Sequence, residues 1–276
     1  MGNPIKAKPG TKGDTTVIAH DAGLYWVDDY VSSTGGGHFD LRYSRHTGTV
    51  KITVRVFFKF LNGKCWVFLP HPTHPKTKAG ENVRGTAVWT DDEMDAFKAQ
   101  FLAQTSEYWS LQHSFLCKKQ GWSSVVAWPV VRFVEAQERE SVHYSVHVWK
   151  GEIDTDEEQR SSVKDGLTHK VTLQIKDVAD WAARHEAGHM LGLGDEYREE
   201  GKPPLATHSH LVEREFNHPV IRGQCPPESI MVMVPRDGGP YKVLPEHGVV
   251  FLEALRKATE IQEWVITPTA VLRAEP

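Results

Sequence analysis

The sequence predicts an α+β fold, a mixed, mostly parallel sheet backed by helices. Three observations carry that expectation. From Thr49 to Phe60 the apolar residues Val50, Ile52, Val54, Val56, Phe58 and Phe60 alternate with Lys51, Thr53, Arg55 and Lys59, the period of a strand with one buried face. Further on, a strand, a capped helix and another strand follow one another, as in a crossover unit. Histidines four apart near residue 185 then fit the 3.6-residue period of a helix.

The elements follow in order. Residues 1–20, rich in Lys, Gly, Thr and Pro, read as a loose tail. After the alternating strand, Asn62-Gly63 is a hairpin signal into a second strand, Lys64–Leu69, and 70–89, with its His71–Pro75 cluster, reads as loop. Thr90-Asp91-Asp92-Glu93 is a capping box opening a helix whose Met94, Phe97, Phe101, Leu102, Thr105 and Trp109 share one face. Strands are expected at Ser124–Val134 and Ser141–Trp149, the latter carrying His143 and His147 as surface or packing residues. Acidic Glu152–Glu158 reads as a solvated loop and His169–Ile175 as a strand. A helix over Val178–Leu191 with Asp177 as N-cap comes next, then a long irregular stretch. The last helix enters through Pro245 and buries Val249, Leu252, Leu255 and Ala258.

Composition narrows the function classes. The chain has 276 residues, 39% hydrophobic and 25% charged, which excludes fibrous and disordered polymers. No apolar run approaches the ~20 residues that span a bilayer. A net charge of −4 gives no reason to expect nucleic acid or an anionic membrane as partner. The N-terminal lysines have no apolar segment behind them, so no Sec leader is expected. The expectation is a protein cytoplasmic when made, with export by a leaderless route as the alternative. Cys65, Cys117 and Cys225 are too widely spaced for a ligand pair and are expected to stay unpaired.

The chemistry lies in residues 185–195, HEAGHMLGLGD. His185 and His189 sit one helical turn apart on one face and can share a metal ion at ~2.0–2.1 Å each. Glu186, about 100° round the same turn, is too far round to be an equivalent ligand but can reach a water in the metal's open position. There it acts as general base, then general acid. Gly192 supplies the φ > 0 that a helix needs to stop and double back. Asp195 is then placed to be the third ligand, and three ligands with one open position make a catalytic zinc site. Glu196, Glu213 and Glu215 are the alternative third ligands, the last two in the manner of a gluzincin. The HExxH pattern alone arises by chance in roughly one such chain in twenty, and the added Gly and Asp lower that to on the order of a few in ten thousand. His208, His210 and His218 read as solvated loop histidines.

This HExxHxxGxxD motif resembles the metzincin metallopeptidases in their aspartate version. The resemblance implies a two-lobed zinc protease, with an upper lobe of about 21–194, including a β-rich part 21–80, and a lower lobe of about 195–276. It implies His185, His189 and Asp195 as ligands of one Zn2+ and Glu186 as the catalytic carboxylate. A methionine turn beneath the metal is implied within Ser229-Ile230-Met231, with Met233 as second choice. Tyr197 or Tyr241 is the candidate oxyanion helper. The expected activity is hydrolysis of peptide bonds in a protein or peptide substrate, with Ser141–Trp149 as an edge strand that pairs with substrate backbone. A zinc-stabilised binding protein without turnover is the rival reading. An exported effector or toxin and a housekeeping protease of its own cytosol are the two biological roles left open, and the hazard of an unrestrained protease to its producer favours export; an inhibitor or immunity protein would be a further partner, which the sequence does not show.

Overall fold

A computed structural model describes residues 17–21, 23–69, 81–122, 125–137, 141–151, 162–164, 170–174, 181–198, 200–232 and 241–268. Five strands come first: β1 (Val17–Asp21), β2 (Leu24–Val31), β3 (His38–Ser44), β4 (Thr49–Leu69) and β5 (Glu81–Ala87). Helix α1 (Asp91–Trp109) precedes β6 (His113–Cys117), β7 (Val125–Glu135), β8 (Tyr144–Lys150), β9 (Ser162–Lys164) and β10 (Lys170–Gln174). Then come α2 (Ala182–Met190), α3 (Ser209–Phe216), a 3-10 turn (Pro245–Gly248), α4 (Val249–Thr259) and β11 (Trp264–Pro268). The architecture is α+β, and all eleven strands join one mixed, curled sheet.

The pairing is mostly antiparallel, which corrects the expected mostly parallel sheet. Among the described strands three ladders are parallel, β4 with β7, β4 with β8 and β8 with β10, and seven are antiparallel. Parallel pairing needs a long crossover, and here α1 supplies one. Short connections such as residues 45–48 between β3 and β4 force their strands to run antiparallel. Part of the N-terminal tail is also a strand: β1 pairs with β2, while residues 1–16 lie outside the described residues.

β4 organises the sheet. Its predicted alternation holds, with Val50, Ile52, Val54 and Val56 wholly buried and Phe58 nearly so. The Asn62-Gly63 hairpin does not form. The strand runs straight through, pairing with β7 over Thr49–Val56, with β8 over Val56–Asn62 and with β5 over Gly63–Leu69. Asn62 uses its side chain to accept from Trp89 N at 3.2 Å, and the register with β8 prevails over the local turn preference. Residues 81–87, expected as loop, form β5 against the strand's far end.

The capping box of α1 is present in both directions, Glu93 N to Thr90 Oγ1 and Thr90 N to Glu93 Oε2. Its predicted face packs Phe97 and Phe101 on Phe58 and Phe133. Ser110 and Ser106 hydroxyls accept the backbone N–H groups of Val131 and Phe133, both at 2.9 Å, covering hydrogen-bonding groups of β7. Helix α4 packs on β2 and β3 through Phe39 and Phe251, and Tyr30 donates to Glu253 at 2.6 Å. β11 returns to pair with β6, and the sequence pattern predicts neither of those two strands. β8 is flanked by β4 and β10, so the expected substrate-pairing edge at Ser141–Trp149 is not an edge. Among the described residues no helix is long and apolar enough to cross a membrane.

Candidate metal centre

Helix α2 carries the two histidines, and the start of its predicted range, with Asp177, lies outside the described residues. Its C-terminus closes as a Schellman motif: Gly192 N donates to His189 O at 2.9 Å and Leu193 N to Gly188 O at 3.0 Å. Gly192 has φ +103, and a Cβ there would lie 3.1 Å from Gly36 O, so both conformation and space require glycine. The turn brings Leu193 O back to His189 Nδ1, 2.8 Å away, and sends Asp195 over the helix. On the other side Ile230 O takes His185 Nδ1, also at 2.8 Å.

Those two carbonyls fix the tautomers. Each Nδ1 donates its proton, so in the neutral ring each Nε2 presents a lone pair. The two Nε2 atoms are 3.2 Å apart. Asp195 Oδ1 lies 3.3 Å from that of His185 and 3.1 Å from that of His189. Asp195 Oδ1 is buried and has no hydrogen-bond donor among the described residues. Three electron-pair donors thus face one point. A tetrahedral ion with bonds of ~2.0–2.1 Å has ligand–ligand edges of about 3.3–3.4 Å, so these residues fit zinc.

The field also favours a cation. Burial opposes charge on His189, but the close approach of the Asp195 carboxylate and the charge of Glu186 outweigh it and push the imidazole up to about 9. Against its own burial, Asp195 is held well below the usual carboxylate range by the two imidazoles. Glu186 is 5% exposed, and its charge reaches His189.

Met231 is buried directly beneath α2. A Cβ on Gly188, between His185 and His189 in sequence, would lie 2.5 Å from Met231 Sδ. The turn therefore does two things: Ile230 orients one imidazole and Met231 supports the helix bearing both. Met233 lies outside the described residues. The Tyr197 ring lies 6.4 Å from that of His185, at the site. Tyr241 packs 5.4 Å from Trp181, whose ring meets His185 at 5.2 Å, so it stands one layer further back.

The alternative third ligands are engaged elsewhere. Glu196 is buried and turned away from the histidine pair, accepting from Ser229 Oγ at 2.5 Å and His247 Nε2 at 3.1 Å, with His208 Nε2 3.3 Å away. His208 Nδ1 accepts from Gly194 N and His247 Nδ1 from Leu244 N, both at 3.0 Å, so both rings are neutral Nε2–H donors. Burial alone would raise Glu196, yet His247 and His208 hold it far below its ordinary value. This hub ties the loop of Asp195 to the methionine turn, to α3 and to the entry of α4. Sequence reasoning missed it, because Glu196, His208, Ser229 and His247 come from four separate segments. His208 is wholly buried rather than solvated, which corrects its reading as a loop histidine. His210 is exposed beside Ser33, and His218 is 52% exposed. Glu215 pairs with Arg256 and Arg214, and Glu213 is exposed, so α3 brings no glutamate to the histidines.

A second group, Asp29, His38 and His143, also clusters. His143 Nδ1 accepts from Arg55 N at 3.0 Å, so its Nε2 carries the proton and points at Asp29 and Asp40, 3.3 and 3.4 Å away. The Arg55 guanidinium already bridges both carboxylates. Asp29, hydrogen-bonded to His143 and next to Arg55, is lowered to about 2 against its burial. The group is thus a partly buried charge network, with Asp29 exposed, whose carboxylates Arg55 already pairs. Comparison of the chain with family models, with curated proteins and with solved structures found no match.

Proposed function

We propose that this chain is a zinc-dependent endopeptidase of the metzincin kind, acting on protein or peptide substrates. The observation that carries the reading is the convergence of His185 Nε2, His189 Nε2 and Asp195 Oδ1 at 3.1–3.3 Å, with both Nδ1 atoms committed to carbonyls. A structural zinc site would be closed by a fourth protein ligand. Here the cluster unites three ligating side chains, with the carboxylate of Glu186 beside them.

Zinc bound by these three residues would supply a Lewis acid that polarises the scissile carbonyl and acidifies water. The chain's own groups do the rest. Ile230 O and Leu193 O hold the imidazoles in the metal-binding tautomer and raise their basicity. Glu186 accepts a proton from the attacking water and delivers it to the nitrogen of the departing amine, so it ends the cycle as it began. The Tyr197 hydroxyl is the nearer of the two tyrosine candidates for donating to the developing oxyanion.

The test compares the wild type with Glu186→Gln, both loaded with zinc, on an unfolded protein. Both should bind one zinc per chain, and the variant should cleave about 10²–10⁴-fold more slowly. Equal activity would place the chemistry elsewhere. One zinc in each and cleavage by neither would favour a binding protein without turnover.

A further inference from the structure

A cavity of about 670 Å³ has Arg198, Lys202, Ile221, Arg222 and Gln224 in its wall. Its wall is continuous with the chain that carries Asp195. Arg222 Nε donates to Asp195 O at 3.0 Å and its Nη1 to Pro203 O at 2.9 Å, while Gly223 N donates to Glu196 O at 2.7 Å. Arg222 is thus fixed by neutral carbonyls, which orient the guanidinium without neutralising it. Among the described residues Arg198, Lys202 and Arg222 make no ion pair. Three cations face one carboxylate of the lining, Glu200, in a chain whose net charge is −4.

An unneutralised, pre-oriented guanidinium inside a concavity matches the fork of a carboxylate, and two further cations raise the local potential. A single cavity is too compact for a nucleic-acid backbone, which needs a stripe of cations. We propose that this cavity is a subsite for an acidic side chain of the peptide substrate, so that the protein selects sequences with Glu or Asp at a fixed distance from the cleaved bond. The word substrate rests on the peptidase reading; the recognition of a peptide carboxylate does not.

The experiment measures binding by zinc-loaded Glu186→Gln, full chain, with fluorescent peptides acetylated at one end and amidated at the other. Each carries one Glu, or Gln as its isostere, at successive positions, and anisotropy gives Kd. At one position Glu should bind about three- to tenfold tighter than Gln, an advantage that shrinks at about 0.5 M salt. Adding Arg198→Gln and Lys202→Gln, two exposed residues that leave Arg222 in place, should shrink that advantage and leave the Gln-peptide Kd unchanged. Equal Kd values at every position, no measurable binding of any Glu peptide, or an advantage undiminished by the double substitution would each overturn the proposal. A parallel set with free C-termini separates the other source of a carboxylate: an advantage confined to that set would assign the cavity to the chain end and overturn the side-chain subsite. Cleavage is not needed for this readout. A wild type that binds Glu peptides selectively but never cleaves would sink the peptidase reading alone, and one that cleaves without Glu preference would sink the subsite alone.

Discussion

His113 lies on β6 with its ring 5.4 Å from Phe115 and 5.9 Å from Phe251, and neither ring nitrogen has a hydrogen-bond partner among the described residues. Burial first, and His247 second, pull its imidazole down from 6.5 to about 3. The unfolded chain takes up that proton near pH 6.5, so between the two values the unfolded state holds more protons and stability falls as pH falls. The contribution is fully present above 6.5. Linkage puts the loss at about 2 kcal/mol by pH 5 and about 3 kcal/mol by pH 4. Carboxylates such as Asp29 also lose stabilisation in acid, so the effect must be read as a difference. His113→Leu keeps a similar volume and removes the titration. Urea unfolding of both proteins at pH 7 and pH 5 should show the variant gaining about 2 kcal/mol on the wild type between the two. At pH 7 it should already be no less stable, since it buries no unpaired nitrogen. An equal gap at both pH values would refute the reasoning, because it would mean that His113 does not titrate differently in the folded chain.

Gly188→Ala should cost about 1–3 kcal/mol by overpacking, because its methyl would meet Met231 Sδ at 2.5 Å and the Trp109 ring at 2.9 Å. A urea midpoint unchanged from wild type would show that the methionine turn does not support the helix. Metal removal is the other test: zinc held at 100 times its Kd should raise stability by about 2.7 kcal/mol, seen as a Tm lowered by chelator. Asp195→Asn should shrink that difference, and a wild-type Tm indifferent to chelator would argue against the site.

Much of the candidate centre was legible as a string. The spacing of His185, His189 and Asp195 put them within reach of one another, and they cluster; Gly192 turns the chain at φ +103, and Met231, named from the family resemblance, lies under Gly188. So was α1, whose capping box and apolar face depend on residues within a few positions of one another. The errors have a common origin. Asn62-Gly63 is a sound turn signal, and it failed because β8, more than 80 residues away, offered β4 a partner along its whole middle. His143, read as a surface or packing residue, is buried, and its partners Asp29, Asp40 and Arg55 come from β2, β3 and β4.

What the sequence determined by itself is whatever the backbone's short-range geometry dictates. Two imidazoles at i and i+4 share a helix face, glycine alone sits easily at φ +103, and a threonine three before a glutamate caps a helix. Only the tertiary structure decided which strands pair, why Glu196 is an anchor while Asp195 faces the histidine pair, and where Arg198, Lys202 and Arg222 gather. Those outcomes depend on desolvation and on partners brought from far along the chain. The side chains of Glu196 and Asp195 carry the same charge one residue apart. One faces His208 and His247, the other His185 and His189, and those partners come from separate parts of the chain.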